Sequence, residues 1–393
     1  MNHDFRHIFH IHRIRKELKE IYANQIVDKF ASSLLIVFIP IYLFTIGYSI
    51  VECLLALVTV EMVTVFLSVP VASAASRIGL KHMILYRVPV AVFFILWLYA
   101  LPYVGLGILN VLIVGILWGL SRTFYWVPLN SEFVENSDKI HRGEEVGFLF
   151  AIPVIVSIGS PFVGGLVLEL IGFHVLFSVY IALMILSVIP LFLTREYRKF
   201  FRFKIKDLNL RLGNRFNVGF LAQGFLLIGE FLLWPFYTYL VLGDIFYTGI
   251  VASLSAVGIA FLTLLTGRIS DRISREKMLR FGVAGCFFVW ILRYLAATNL
   301  EFFILSFLGG LFVMLARIPI FSSFSDNARE RNILNDVTVR EIFLSLGRSL
   351  LISIIALSFM GLKLGLILIG VSSLVLLLVK VENQAKSEKP FPS

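Results

Sequence analysis

The sequence predicts an all-α polytopic membrane protein, with twelve transmembrane helices arranged as two pseudo-symmetric six-helix bundles. Three observations predict it. Hydrophobic residues make up 59% of the 393 positions and charged ones only 15%, which is more apolar surface than a water-soluble core encloses. The apolar residues run continuously for the roughly 20 positions a helix needs to cross a hydrocarbon core of ~30 Å, and they do not alternate as barrel strands would. The chain also repeats itself at an offset of 195 residues: Pro40 falls on Pro235, Tyr42 on Tyr237, Arg77 on Arg272, Met83 on Met278, Gly115 on Gly310 and Arg122 on Arg317. Leu and Ile match by chance in such a chain, but these rarer residues under one offset mark a unit used twice.

Taken in order, residues 1–29 form a cytoplasmic amphipathic tail. Phe5, Ile8, Phe9, Ile11, Ile14, Leu18, Ile21 and Tyr22 recur there near helical spacing among basic residues, the pattern of a helix lying on a membrane surface. His3, His7, His10 and His12 leave metal binding by this tail open as an alternative. Spans near 30–47, 50–73, 83–101, 105–127, 146–171 and 173–193 build an N-terminal bundle over 30–194. A basic cytoplasmic linker, 195–215, follows, with eight Lys and Arg residues interleaved with Phe200, Phe201 and Phe203, side chains that anchor at a membrane edge. Spans near 216–241, 246–267, 278–297, 300–321, 342–360 and 362–380 build a C-terminal bundle over 216–381, and 382–393 is a cytoplasmic tail.

Threaded this way, the 35 Lys and Arg residues fall in the tails, the even-numbered loops or the adjoining membrane ends, with Arg293 and Lys363 the exceptions. The loops around Gly47, Pro102, Gly172 and Asp244 carry none. Cytoplasmic retention of basic residues then places both termini inside, in a multi-pass protein of the plasma membrane. The net charge of +10 reports topology and anionic headgroups, not nucleic acid. Residues 1–29 are charged throughout, so no cleavable signal peptide is expected ahead of the first span. Cys53 and Cys286 lie in separate spans, spaced neither as a metal pair nor as a redox motif.

The sharpest local motif follows the eighth span: Gly267-Arg268-Ile269-Ser270-Asp271-Arg272-Ile273-Ser274-Arg275-Glu276-Lys277. It resembles the signature loop of the major facilitator superfamily, Gly-x-x-x-Asp-Arg-x-Gly-Arg-x-Lys, with Ser274 at the second Gly. The copy after the second span, 72–81, keeps Arg77 but has Ser76 in place of the acidic residue. Glu132 followed by Arg142-Gly143 and Gly147 is similar to the superfamily's loop between helices four and five, and Pro40-Ile41-Tyr42 to its first helix. Ser160-Pro161-Phe162-Val163-Gly164-Gly165 resembles the Gly-Pro-x-x-Gly-Gly motif of the drug and proton antiporter branch, though close helix packing accounts for such small residues almost as well.

The resemblance implies a secondary transporter that works by alternating access, an architecture in which parallel repeats flank a substrate site near the bilayer midplane. It also implies a cytoplasmic gate in which carboxylates and cations form charge-assisted hydrogen bonds in one conformation only. Asp271, Arg272, Arg275 and Arg317 supply it in the second half; Arg77, Arg122, Glu132 and Arg142 supply it in the first. Asp271 is the expected partner of Arg317. Arg122 has Ser76 opposite and is expected to use Glu132 or Glu135.

Charged groups inside a membrane cost about 2.5–3.5 kcal/mol each on insertion scales, so Glu61 and Glu230, each near mid-span, ask for an explanation. Apolar surroundings favour the protonated carboxyl, as a proton-coupling group requires. Glu230, five residues before Pro235, is the first choice; Glu61 is equally placed to pair with an arginine. The implied cavity is lined by helices one, four, seven and ten, which offer Tyr42, Asn110, Trp118, Trp234 and Tyr237, a mixture suited to amphipathic organic molecules. Arg293 reads as a snorkelling residue at an outer edge.

The functional expectation is proton-coupled export of small organic or amphipathic compounds by a monomer, with protons, a small substrate and the lipid bilayer as its partners. Neither cofactor nor metal is expected, and because no phosphate-binding Gly-x-x-x-x-Gly-Lys-Ser/Thr loop occurs the energy source is expected to be a gradient and not ATP. An uptake symporter of the same fold is the close alternative. A polytopic membrane enzyme would need clustered His, Asp or Cys near one face, and His82, His141 and His174 are scattered singly. A transporter-like sensor is the third class.

Overall fold

The computed structural model describes residues 16–136, 153, 155–156, 158–193, 203, 205–212, 214–269, 274–330, 332–358 and 361–381. Among them every regular element is helical, and ten helices are long and apolar enough to cross a membrane. The N-terminal bundle comprises α1 (Lys16–Leu35, a 3₁₀ turn Ile36–Phe38 and Ile39–Thr45), α2 (Ile50–Ile78), α3 (Leu80–Val104) and α4 (Ile108–Asn136). It is completed by α5 (Ser160–Leu170) and α6 (Phe173–Ser187 with Ile189–Phe192). The C-terminal bundle comprises α7 (Arg215–Ile228, a π turn Gly229–Leu233 and Trp234–Leu242), α8 (Ile245–Ile269) and α9 (Arg275–Leu295). It closes with α10 (Asn299–Glu330), α11 (Ile333–Leu357) and α12 (Gly361–Ser373 with Leu374–Leu378). Residues 1–15, 137–152, 270–273 and 382–393 lie outside the described residues, and with them the histidine tract, Arg142, Asp271 and Arg272.

The helix ends explain themselves locally. At the end opposite the linker, Ser49 and Glu52 form a reciprocal capping box on α2. Asp244 Oδ1 accepts from the backbone N–H of Phe246 and Tyr247, and Glu301 from those of Ala297 and Thr298, closing the first turns of α8 and α10. These carboxylates sit at helix starts, where the dipole favours an anion.

Two helices start earlier than apolar counting placed them. The first begins at Lys16 and the eleventh at Ile333, where sequence patterning put spans from about 30 and 342. The cause is the same in both. Glu20, Asn24, Gln25 and Asp28 on α1, and Asn335, Arg340 and Glu341 on α11, are buried. Polar residues on a helix turned into the protein are indistinguishable, in a hydropathy profile, from residues in water. Residues 16–29 are therefore part of the first bundle helix, not of a surface tail.

The repeat is visible in the backbone. Pro40 and Pro235 have no N–H to donate, which frees a carbonyl four residues earlier and disturbs the preceding turn. The 3₁₀ turn at Ile36–Phe38 and the π turn at Gly229–Leu233 are those disturbances, at corresponding places in α1 and α7. Gly115 and its mate Gly310 both serve close backbone approach. A methyl at Gly115 would lie 2.8 Å from the Ala56 carbonyl oxygen on α2, and one at Gly310 would lie 2.0 Å from the Ser255 carbonyl oxygen on α8.

The bundles meet at both ends. At the linker end, Leu334 of α11 packs among Val71, Ala72 and Ala75 of α2, Leu80 and Met83 of α3, and Val127 of α4. At the far end, Phe44 lies edge-on to Phe236 and Tyr239, with ring centroids 6.4 Å apart in each case. There α5 also seats against α8: a methyl on Gly249 would come 2.6 Å from the Pro161 carbonyl oxygen, and Phe162 N–H donates to Ser253 Oγ at 3.0 Å.

Candidate functional site

The charged residues inside the bundles fall into separate groups. Within the C-terminal bundle, the two nitrogens of the Arg293 guanidinium donate to Glu230, Nη1 to Oε2 at 2.7 Å and Nη2 to Oε1 at 3.0 Å. Nη2 also reaches the Leu305 carbonyl at 3.0 Å, and Ser255 Oγ donates to Glu230 Oε1 at 2.8 Å. The guanidinium lies between the rings of Trp290 and Trp234, 4.2 and 4.5 Å from their centroids. Both charged side chains are 0% exposed. Arg293 is thus no snorkelling edge residue: it is fully buried, because Glu230 and two indoles supply what water would have supplied.

The N-terminal bundle has a counterpart. Arg87 of α3 pairs with Asp28 of α1 and lies 4.1 Å from the Tyr125 ring centroid, with all three side chains buried. A second pair, Lys81 with Glu20 at 2.6 Å, ties α3 to α1 nearer the linker end.

A third group crosses between the bundles. Glu61 of α2 is paired with Arg122 of α4 in its own bundle and with Arg348 of α11 in the other, the latter at 3.4 Å. All three sit near the middle of their helices, where Gly115 and Gly119 let α4 lie against α2. Beside them, Asn130 Nδ2 of α4 donates to Glu341 Oε1 of α11 at 3.3 Å, and the same oxygen accepts from Arg340 Nη1 at 2.6 Å. Arg122 was expected to find Glu132 or Glu135 at the helix end; its partner is Glu61, and Arg122 itself lies ten residues, nearly three turns, before Glu132 on α4, so Arg122 is a mid-helix group and not part of an end gate.

The other expected gate residues divide. Arg275 Nη1 donates to Asp326 Oδ2 of α10 at 3.0 Å, joining the loop segment to the linker end of α10. Arg77 is exposed and Glu132 half-buried. Arg317 lies in the field of Arg340 and Glu341. The residues expected to line a cavity are engaged within their own bundles. Tyr42 donates its hydroxyl to the Leu98 carbonyl at 2.8 Å, Trp118 stacks on Phe94, Trp234 Nε1 donates to Ser306 Oγ at 2.8 Å, and Tyr237 stacks on Trp234. Asn110 lies by the far-end loop, where its Nδ2 donates to the Gly105 carbonyl at 2.8 Å. The fifth-helix segment lies at a seam between bundles through Pro161 and Gly165, while Ser160 Oγ donates back to Val156 and Gly164 faces the Leu34 carbonyl of α1.

A family model described as the Major Facilitator Superfamily matches residues 219–392. The whole chain superposes on solved transporters of that fold. A bacterial homologue of the iron transporter ferroportin, outward-facing, gives a TM-score of 0.68 at 14% identity over 92% of this chain and 97% of that one. The transporter FucP in its outward conformation gives 0.68 at 10% identity, covering 92% and 98%. By sequence over residues 219–392 the chain matches the Major Facilitator Superfamily, and its fold is that of solved transporters of that superfamily. The human organic anion transporter MFSD10 gives 0.65 at 10% identity over 93% and 99%. No curated protein sequence matches the chain.

That fold is one of multi-pass secondary transporters whose two bundles expose a central path alternately to either side. Members of the superfamily are transporters and not enzymes. Within that scheme the Glu61 group is set apart from the Glu230 and Asp28 pairs, because it is held by charged partners from both bundles; Glu341 also bridges the bundles, but its partner across the interface is the uncharged Asn130. Sequence reading missed Asp28, Arg87, Arg340, Glu341 and Arg348 as interior groups. The signal was there: each is a charge within a predicted helix or within four turns of one, assigned by default to the nearest membrane edge.

Proposed function

We propose that the protein is a proton-coupled secondary transporter of small organic compounds and that Glu61 carries the proton. One observation supports this above others: Glu61 is shared between Arg122 of its own bundle and Arg348 of the opposite one. A coupling carboxylate must change its affinity for a proton in step with the rearrangement. A group whose counter-charge lies on the other moving body does so, since parting of the bundles withdraws a cation and favours the protonated form. Glu230 keeps every partner inside one bundle and reads as a structural rivet.

The linker end, with its basic residues, is the cytoplasmic side of a plasma-membrane protein acting as a monomer. The bundles 30–194, extended back to Lys16, and 216–381 are the two rocking bodies, joined by the linker 195–215. Asp271, Arg272, Arg275 and Arg317 form the cytoplasmic latch of the second half, with Arg275 and Asp326 its described pair. Export is supported by the antiporter-like segment Ser160–Gly165 lying at the α5–α8 seam. Uptake by symport is the second reading, favoured by the two arginines on one carboxylate: protonating Glu61 frees cations and makes no room for one.

Vesicles holding the reconstituted protein and a pH-sensitive dye test the reading with a panel of amphipathic compounds. Compound-evoked proton movement is expected, lost in Glu61→Gln. Movement that survives this change, or none with any transported compound, refutes it.

A further inference from the structure

We infer that Arg122 and Arg348 form an anion seat between the bundles, and that the transported compound is a small organic anion carried together with the proton on Glu61. The inference rests on the proton-coupled reading above and adds the substrate class and the stoichiometry.

The arithmetic of charge comes first. Two guanidinium groups face one carboxylate at this locus. Ser345 of α11 stands beside Glu61 as well, and among the described residues no other titratable side chain contacts it from α2, α4 or α11. One positive charge is therefore uncompensated in the membrane interior, where it is costly. A cationic substrate would add to that excess, whereas an anionic one takes the place of the carboxylate charge when Glu61 is protonated. Guanidinium forks match carboxylate, sulfonate and phosphate oxygens with paired hydrogen bonds.

Accessibility separates this locus from the Glu230 pair. The Arg122 and Arg348 side chains keep 17% and 10% of their surface open, whereas Glu61 keeps 1%. An anion between the bundles can meet the two arginines without reaching the carboxylate. At the Glu230 locus both partners are at 0%, two indoles close the guanidinium faces, and a methyl on Gly309 would meet Arg293 Nη2 at 2.0 Å. No anion enters there.

Coupling follows from competition. Ionised Glu61 occupies both arginines, so an anion binds only as the carboxyl takes up a proton and releases them. Proton and substrate then bind together, which is symport. Charge is conserved as well. Two arginines with an ionised Glu61 carry one net positive charge, and so do two arginines with a neutral Glu61 and a monoanion. The loaded and empty seats cross the membrane with equal charge, and translocation of a monoanion with its proton is electroneutral.

The experiment uses the full chain in vesicles containing a pH-sensitive dye, with the membrane potential clamped. Probes are benzenesulfonate, phenyl phosphate and phenylacetate, with a quaternary ammonium and a neutral sugar as contrasts. Benzenesulfonate, which cannot carry a proton across lipid itself, is expected to drive proton movement that is insensitive to the clamped potential. Its binding to detergent-solubilised protein should weaken by up to tenfold per pH unit above the Glu61 titration, the limit for one linked proton. Glu61→Gln should bind it with that slope abolished. Arg348→Gln should lose anion binding while Arg280→Gln, on the exposed face of α9 where it pairs with Glu276, keeps it, so a folding defect is recognised by thermal unfolding of both. Proton movement evoked by the cation or the sugar but by none of the anions overturns the anion seat and leaves proton-coupled transport standing. Anion binding without pH dependence in the unaltered protein overturns Glu61 as carrier, and no proton movement with any probe overturns both readings.

Discussion

Replacing Glu230 by Gln separates rivet from carrier. In the folded protein the change removes the charge of a group that accepts from Arg293 at 2.7 and 3.0 Å and leaves that guanidinium buried at 0% exposure. Removing one partner of a buried pair costs about 3–5 kcal/mol, because the remaining charge is uncompensated. The Leu305 carbonyl and the Trp234 and Trp290 rings keep hold of Arg293, so the lower half of that range is expected. In a cooperative unit of about 150–250 residues, 1 kcal/mol moves the melting temperature by about 2–4 °C, which makes the expected fall about 6–16 °C. Thermal unfolding in detergent reads it. Arg293→Leu alone should cost as much, and the double change Glu230→Leu with Arg293→Leu should cost less than the sum of the single ones, since no orphaned charge remains. Substrate-evoked proton movement should survive in the double variant. If Glu230→Gln leaves the melting temperature in place yet abolishes proton movement, Glu230 is the carrier and the assignment to Glu61 fails.

Gly310→Ala should destabilise by about 1–3 kcal/mol, and more than Gly115→Ala, because the added methyl meets the Ser255 carbonyl oxygen at 2.0 Å in the first case and the Ala56 carbonyl oxygen at 2.8 Å in the second; paired melting curves check the order. Cysteines at Phe162 and Phe246, whose rings are 5.3 Å apart across the α5–α8 seam, should cross-link and halt transport until reduced, against a background of two buried native cysteines; transport that continues while cross-linked means the far end does not open there. Asp326→Asn should change the melting temperature little, as a pair 16% and 44% exposed contributes about 0–1 kcal/mol. It should nonetheless raise the population open at the linker end by up to about fivefold, read by labelling of a cysteine placed at Leu334.

Much of the architecture was legible because lipid imposes a simple rule. Long continuous apolar runs and a 195-residue offset at Pro, Tyr, Arg and Gly were enough for the number of spans and their pairing into bundles. The limits of that reading were physical. Asp28 and Glu341 are held by Arg87 and by Arg340 and Asn130, and a charge so satisfied costs little inside, yet a profile of single residues places it outside. Partner choice was illegible for a related reason. Glu61 and Arg122 lie 61 residues apart and Glu61 and Arg348 lie 287 apart, so only the packing of α2, α4 and α11 brings them together. Arg293 reads as an edge residue because it lies in the last turn of α9, two residues from its end; the indole of Trp290, one turn before it, is the available hint that it is held inside.

The buried pairs also show how a duplicated unit acquires a direction. In each half the first helix supplies a carboxylate and the third an arginine, Asp28 with Arg87 and Glu230 with Arg293, and in each the guanidinium rests on an aromatic face. The positions are not repeat mates: Asp28 corresponds to Gln223 and Arg87 to Gly282. Two halves have reached the same fastening at different heights, which argues that each bundle must stay rigid while the pair of them moves. The second and fourth helices break the pattern. Arg122 and Arg317 are mates, but Glu61 corresponds to Ala256, so the second half has no carboxylate at that place and the first half's is reached by Arg348 from across the interface. A carboxylate present in both halves could have been neutralised within each bundle. Present in one, it is answered by a cation on the other, and under the proposed mechanism the protonation of a single group is thereby tied to whether the bundles are together or apart.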